Sequence, residues 1–435
     1  MRRKACLRSS GGVENSVYVG ARRIALLAVL VLCSTLAHAQ WPDWRGPTAD
    51  GLSGVSGLPL VWSETENVVW KTPIHDRGHS SPVVWRNQIW LTTATEDGST
   101  LYAVCVDLHS GAVLHDIAVF RQEDPQRINP NNSYATPSAV VEAGRVYVHY
   151  GTFGTACIDT QSGEVLWRRA DLHCEHMQGP VSSPFLFGDL VIVHFEGTDV
   201  QFIVALSKET GDTVWRVDRP RELYEGVEPL YLLKSYQTPI IVDVNGHPQL
   251  VSNGAMLVTG HEPETGKELW RVRYKGDSTI SRMVSGHGLI FVNTGGSPGA
   301  AELWAVRTGG VGDVTDSHVV WKRTEDMPLE SSPVLVDDLL YTMSDNGILI
   351  CMEALTGEPV WSERLPGKYG SSLLYADRRI YVGNKQGKTT VINPGRTLEV
   401  LAVNELEDGL WASPAVANRS LLLRTTTHLY RIQQP

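Results

Sequence analysis

The sequence predicts an all-β fold, an eight-bladed propeller of four-stranded blades, and three observations carry that expectation. A Ser/Thr-Pro pair recurs at the start of strand-like runs. A turn of the form acidic-x-x-Ser/Thr-Gly is followed, four residues after its Gly, by Trp. A lone strand near the N-terminus supplies the strand that the last repeat lacks. Self-similarity at this period is the mark of a repeat architecture.

The first element reads Ser81-Pro82, Thr136-Pro137, Ser183-Pro184, Thr238-Pro239, Ser332-Pro333 and Ser413-Pro414. Degenerate copies stand at Ser281-Arg282-Met283 and Ser371-Ser372-Leu373. Successive copies lie 40 to 55 residues apart, the length of one blade. Proline has no N–H, so it suits the first residue of an innermost strand, where no ladder donor is needed. The residues that follow alternate or run apolar, and turns such as Phe187-Gly188-Asp189 and Val336-Asp337-Asp338 join them as hairpins.

The second element runs Asp159 to Gly163 with Trp167, Ser207 to Gly211 with Trp215, Glu262 to Gly266 with Trp270, and Glu353 to Gly357 with Trp361. Blade 1 keeps Asp107 and Gly111 but ends in His115. Blade 5 is stretched through Gly309, Gly310 and Gly312 before Trp321, and blade 7 ends in Val400. The glycine permits positive φ between the third and fourth strands. The Trp, burying ~150–250 Å², is expected to wedge against the neighbouring blade.

Seven complete blades fit between Pro82 and Gly409, and only three strands follow Pro414. Val68 to Ile74 carries an outer-strand Trp70 with no strands before it, so pairing the two ends makes the eighth blade and leaves the ring without an open edge. The division expected is therefore a signal peptide over 1–39, an N-terminal extension over 40–67 and the propeller over 68–435.

Arg22 and Arg23 precede an apolar run from Ile24 to Leu36, and Ala37-His38-Ala39 offers a small-x-small cleavage site, the pattern of a secretory signal. The run is shorter than the ~20 residues a spanning helix needs. Leu32 before Cys33 departs from a lipobox. The expected location is periplasmic or extracellular, with no transmembrane segment in the mature chain. A formal charge of −10 without a Lys/Arg stripe excludes a nucleic-acid footprint. Of the mature cysteines, Cys105, Cys157 and Cys351 hold one place in successive repeats, where Ala205 stands in another copy. They and Cys174 read as buried, inert thiols.

Over residues 41–435 the repeat resembles the pyrroloquinoline-quinone-like (quinoprotein alcohol dehydrogenase-like) β-propeller family. The opening Trp41-Pro42-Asp43-Trp44-Arg45-Gly46-Pro47, with Leu58-Pro59-Leu60 and Asn67 to Lys71, resembles a subgroup of secreted bacterial propellers. The resemblance implies two functional branches: quinoprotein dehydrogenases, and the scaffold lipoprotein of the outer-membrane β-barrel assembly machinery. The enzyme branch implies a quinone between a Trp and a disulfide of adjacent cysteines, Ca²⁺ held by Glu, Asn and Asp, and an Asp base. This sequence has no adjacent Cys pair and no such ligand set in register, so no cofactor is expected. The reading is a monomeric, non-catalytic binding or scaffold module for a protein or small-molecule ligand. A quinoprotein or metal-dependent oxidoreductase is the alternative, and a carbohydrate-binding accessory a third.

Any ligand is expected at the channel mouth, where the loops leading into the innermost strands converge. Counting three residues back from each Pro, with neighbours, selects His79, Asn132, Tyr134, His176, Gln178, Tyr236, Arg282, Glu330, Tyr369 and Trp411. His173, Cys174 and His176 are the candidate metal ligands, two imidazoles and a thiol in four residues. No Gly-x-Ser-x-Gly elbow or phosphate loop is present. His149 and His194 match by position in their repeats and read as blade packing.

Overall fold

The computed structural model describes residues 40–228, 230–296 and 301–434; the signal-peptide expectation for 1–39 lies outside them. Eight antiparallel sheets form the blades of a propeller. Their innermost strands begin at Val83, Val140, Phe185, Ile240, Val284, Val334, Leu374 and Ala415. Strand Val68–Pro73 pairs antiparallel with His428–Ile432, Lys71 opposite Tyr430, and completes blade 8 as expected.

The repeat motif is a lock between consecutive blades. Trp70, Trp167, Trp215 and Trp321 each pack on the turn glycine of the next blade: Gly111, Gly211, Gly266 and Gly357. His115 takes the same place against Gly163. These glycines have φ between +73° and +77°, and a Cβ on any of them would lie 2.7–2.8 Å from the ring. Positive φ and close approach both select Gly here. The indole N–H then donates across the seam: Trp167 to Lys208 O at 3.0 Å, Trp215 to Pro263 O at 3.1 Å and Trp361 to Gly395 O at 2.9 Å. Opposite each ring on the third strand stands a small residue: Cys157, Ala205, Gly260, Ala305 and Cys351 face Trp167, Trp215, Trp270, Trp321 and Trp361. Cys105 faces His115 in the same way. All four described cysteines are buried and free. Blade 7 differs from expectation, because Ala402, not Val400, is opposite the third-strand residue Val391.

The Ser/Thr-Pro pairs form a second ring at the inner edge. The hydroxyl of each blade accepts the backbone N–H of the preceding one: Ser413 to Ser81, Ser81 to Ser138, Ser138 to Ser183 and Ser183 to Thr238, all 2.8–3.0 Å. The ring resumes from Arg282 to Ser332, Ser332 to Ser372 and Ser372 to Ser413. Two points correct the sequence alignment. In blade 2 the ring position is Ser138, two residues beyond Thr136 of the Thr136-Pro137 pair that resembled the motif. In blade 5 it is Arg282, which has no hydroxyl for the blade before it.

The N-terminal extension is part of the propeller. Gln40–Trp41 pairs antiparallel with Trp85 and Val84 of blade 1, so the chain rises along the channel wall. It turns through Asp43 to Gly51, and Leu52–Ser53 descends parallel to Tyr375–Ala376 of blade 7. Within the turn, Arg45 donates to Leu373 O at 2.9 Å, to Asp50 O at 2.6 Å and to Pro333 O. Arg282 reaches in from blade 5 to the Asp43 carboxylate at 2.6 Å and to Pro239 O of blade 4 at 2.9 Å. Pro42 O accepts from Val141 of blade 2 at 3.0 Å. The loop thus ties the blades together from the axis and plugs the channel. The segment then crosses blades 7 and 8 towards the outer edge, with Leu58 N–H on Asp377 and Trp62 N–H on Asn404.

Candidate functional site: a cup at the channel mouth

With the plug in place, the mouth becomes a dead-ended cup of ≈ 250 Å³, with Trp44, near the tip of the plug loop, in its lining. One residue from every blade lines it, each two positions before the inner ring: His79, Thr136, Val181, Tyr236, Ile280, Glu330, Gly370 and Trp411. Asn129, Asn131, Asn132 and Gln178 join them from the loops of blades 2 and 3. Below lie the ring hydroxyls, already engaged with backbone N–H groups.

Of the residues chosen from sequence, His79, Asn132, Gln178, Tyr236, Glu330 and Trp411 meet in this cup. Tyr134 does not. The two-residue offset in blade 2 puts Thr136 on the rim and turns Tyr134 outward against Phe153, at 5.3 Å between ring centroids. Its hydroxyl donates to Gln126 O, and it borders a separate groove of ≈ 290 Å³ with Arg77 and Arg127. Tyr369 is buried, its hydroxyl on Pro366 O, while Gly370 takes the rim place. Arg282 lies in the plug, its guanidinium 5.9 Å from the Trp44 ring centroid. His176 supports the wall from behind: its backbone O accepts from the Tyr236 hydroxyl at 3.0 Å.

The proposed metal ligands are not arranged as a metal centre. His176 Nε2 accepts the Thr152 N–H at 2.9 Å, which occupies that nitrogen's lone pair. His173 is exposed and 3.2 Å from Thr152 Oγ1. Cys174 Sγ is 3.5 Å from His176 Nδ1, and burial pushes its thiol well above the usual range. Among the described residues, no group of three or more His, Cys, Asp or Glu side chains is arranged to hold a metal ion.

Two aromatic assemblies shape the cup. His79 stacks on Trp411 at 4.7 Å with an 8° interplanar angle, and Lys385 Nζ lies 3.9 Å from the same ring centroid. Burial, reinforced by Arg424, Arg77 and Lys385, lowers the His79 pKa to about 3, so this imidazole is neutral near pH 7. Lys385 also pairs with Glu330 at 2.7 Å. Burial raises the Glu330 pKa, and Lys385 opposes that rise. Trp44 is the second assembly, backed by the guanidinium groups of Arg45 and Arg282 at 6.0 and 5.9 Å. Sequence reasoning missed Trp44, Ile280 and Lys385 as site residues. Trp44 stands in the conspicuous Trp-Pro-Asp-Trp-Arg-Gly-Pro stretch, but nothing local says that this stretch folds back into the axis.

A family model described as outer membrane protein assembly factor BamB matches residues 106–285, 199–326 and 307–401. The chain belongs to this pyrroloquinoline-quinone-like repeat family. No curated protein matches it by sequence. BamB from Moraxella catarrhalis is similar at 13% identity and a TM-score of 0.56, covering 84% of this chain and 99% of that one. A europium-containing methanol dehydrogenase is 13% identical with a TM-score of 0.64, over 88% and 89% of the two chains. The quinohemoprotein alcohol dehydrogenase from Comamonas testosteroni is 11% identical with a TM-score of 0.62, over 95% and 84%. Likeness at these identities establishes a shared fold, and the chemistry must come from the site itself. No helix among the described residues is long and apolar enough to cross a membrane.

Proposed function

We propose that the chain is an exported, non-catalytic binding module whose recognition site is the cup. The observation that carries this reading is the plug: the N-terminal loop fills the axis, so eight blades present their rim residues to one dead-ended pocket. Convergent polar groups around an aromatic surface are what a ligand site requires. Export rests on the Arg22–Ala39 pattern.

The donor set supports binding over turnover. Amides, hydroxyls and a neutral imidazole dominate the lining, and the carboxylate that lines it, Glu330, is held by Lys385. A quinone bearing several carboxylates needs cationic partners, and its Ca²⁺ needs several oxygen ligands, carboxylates foremost. Arg45 and Arg282 are committed to the plug. The cup residues therefore do not fit that cofactor.

The test incubates the purified chain with pyrroloquinoline quinone and Ca²⁺, following tryptophan fluorescence and dye-linked oxidation of simple alcohols and sugars. The expected result is neither saturable quenching nor dye reduction. Saturable quenching in the micromolar range together with dye reduction would overturn the non-catalytic reading.

A further inference from the structure

We infer that the ligand of the cup is a single neutral sugar ring, the end or branch residue of a glycan, seated against Trp44. The inference rests on the binding-module reading and narrows it to a ligand class. Three features converge on it.

The first is charge. Glu330 and Lys385 neutralise one another at 2.7 Å, His79 is held neutral, and the remaining polar lining is amide and hydroxyl. An ion entering the cup would lose hydration without an unpaired opposite charge to meet it, which is costly. A neutral polyhydroxyl ligand meets donors and acceptors of its own kind.

The second is the division of labour among the amides. Asn129 Oδ1 accepts the Asn131 N–H at 2.9 Å, and Asn132 donates to Gln178 O and Pro180 O while accepting from Thr136. These two build the loop. Asn131 and Gln178 contribute to it through their backbone, and both residues line the cup. Each amide offers both a donor and an acceptor, the pairing that adjacent sugar hydroxyls need.

The third is shape. Trp411 is engaged by His79 and Lys385 at 4.7 and 3.9 Å, whereas the guanidinium groups near Trp44 stand off at 6.0 and 5.9 Å, so Trp44 is the less occupied indole of the lining. A ring with an apolar C–H face can lie on such a surface. A volume of ≈ 250 Å³ is below the ~300–1,000 Å³ usual for drug-sized ligands, and suits one ring. It leaves no room for an extended chain.

The test is saturation-transfer NMR on the full chain at millimolar ligand. The probes are the methyl glycosides of glucose, galactose and mannose, N-acetylglucosamine, and the charged analogues glucosamine and glucuronate. Gln178→Leu and Asn131→Leu are the variants, since both sit in loops outside the core, and melting curves check that they fold. The expected result is transfer to at least one neutral sugar, strongest at its ring C–H protons, and none to the charged analogues. Gln178→Leu should weaken binding roughly tenfold, the loss of about one hydrogen bond. Transfer to the charged analogues alone, or neutral-sugar transfer unaffected in both variants, would overturn the sugar inference. A short peptide or the quinone bound in a Gln178-dependent way, with no sugar transfer, would also overturn it and leave the cup a binding site. If no probe of any class gives a Gln178-dependent signal, the binding-module reading fails as well.

Discussion

The seam between blades 2 and 3 offers a quantitative test of how the repeat motif holds the ring. Trp167 is buried, with 9% exposure, and donates to Lys208 O. Trp167→Ala should cost about 3–5 kcal/mol, as for a large core aromatic. Gly211→Ala carries two separate penalties. Its φ of +77° costs a residue with Cβ about 1–2 kcal/mol. The new methyl would sit 2.7 Å from the Trp167 ring, an overpacking worth about 1–3 kcal/mol. Removing the ring removes the second penalty and keeps the first. The double variant should therefore be about 1–3 kcal/mol more stable than the sum of the singles, the size of coupling that touching residues show. Urea unfolding of the four proteins, followed by far-ultraviolet circular dichroism, measures that coupling. Additivity within about 0.5 kcal/mol would refute the claim that ring and glycine form one lock.

Three further outcomes follow from the same geometry. Ser183→Ala removes the acceptor of the buried Ser138 N–H and should destabilise by about 1–3 kcal/mol, whereas Thr48→Ala, at an exposed hydroxyl, should change the urea midpoint little. Arg282→Met leaves the Asp43 carboxylate without its partner and should cost about 3–5 kcal/mol. Limited proteolysis should then cut within 40–53, and adding Asp43→Leu should restore part of the loss. Burial lowers the pKa of His149 to about 3 and of His261 to about 4, below the ~6.5 of an unfolded imidazole. The unfolded chain thus binds more protons below that value, and stability present above pH 6.5 is lost as pH falls towards 4, by about 1.4 kcal/mol per pH unit for each histidine. His149→Gln should flatten that acid limb, and an unchanged slope would show that this imidazole does not drive it.

Blade count, ring closure and most of the rim were legible because they repeat. A motif that recurs every 40 to 55 residues identifies itself, and the spare strand around Trp70 had one place to go. The equivalence of His149 and His194 was legible for the same reason. Both follow by two residues the position paired with the innermost strand, Tyr147 in one blade and Ile192 in the next. What failed to show was non-periodic. Thr136-Pro137 satisfies the motif while Ser138-Ala139 fills the structural place, and only the inter-blade hydrogen bond distinguishes them. Tyr134 was lost from the cup through that offset. The plug was invisible because its strands are two residues each, too short for a hydrophobic period. Its strongest partners, Arg282, Pro333 and Leu373, are remote in sequence. Trp44 as a site residue follows only once that loop is in the axis.

The most direct measurement is a disulfide between Cys residues placed by Ser53→Cys and Ala376→Cys. These positions are partners in the short parallel pairing that holds the descending arm of the plug to blade 7. Cα atoms of paired strands lie within disulfide reach, and the described native cysteines are buried. If the N-terminal loop closes the channel and makes the cup, mild oxidation of the folded protein should link the pair quantitatively. Mass spectrometry would find the joined peptides, and the melting temperature should hold or rise. A pair that stays reduced in the folded protein would mean that the loop lies elsewhere and that the channel has no such floor.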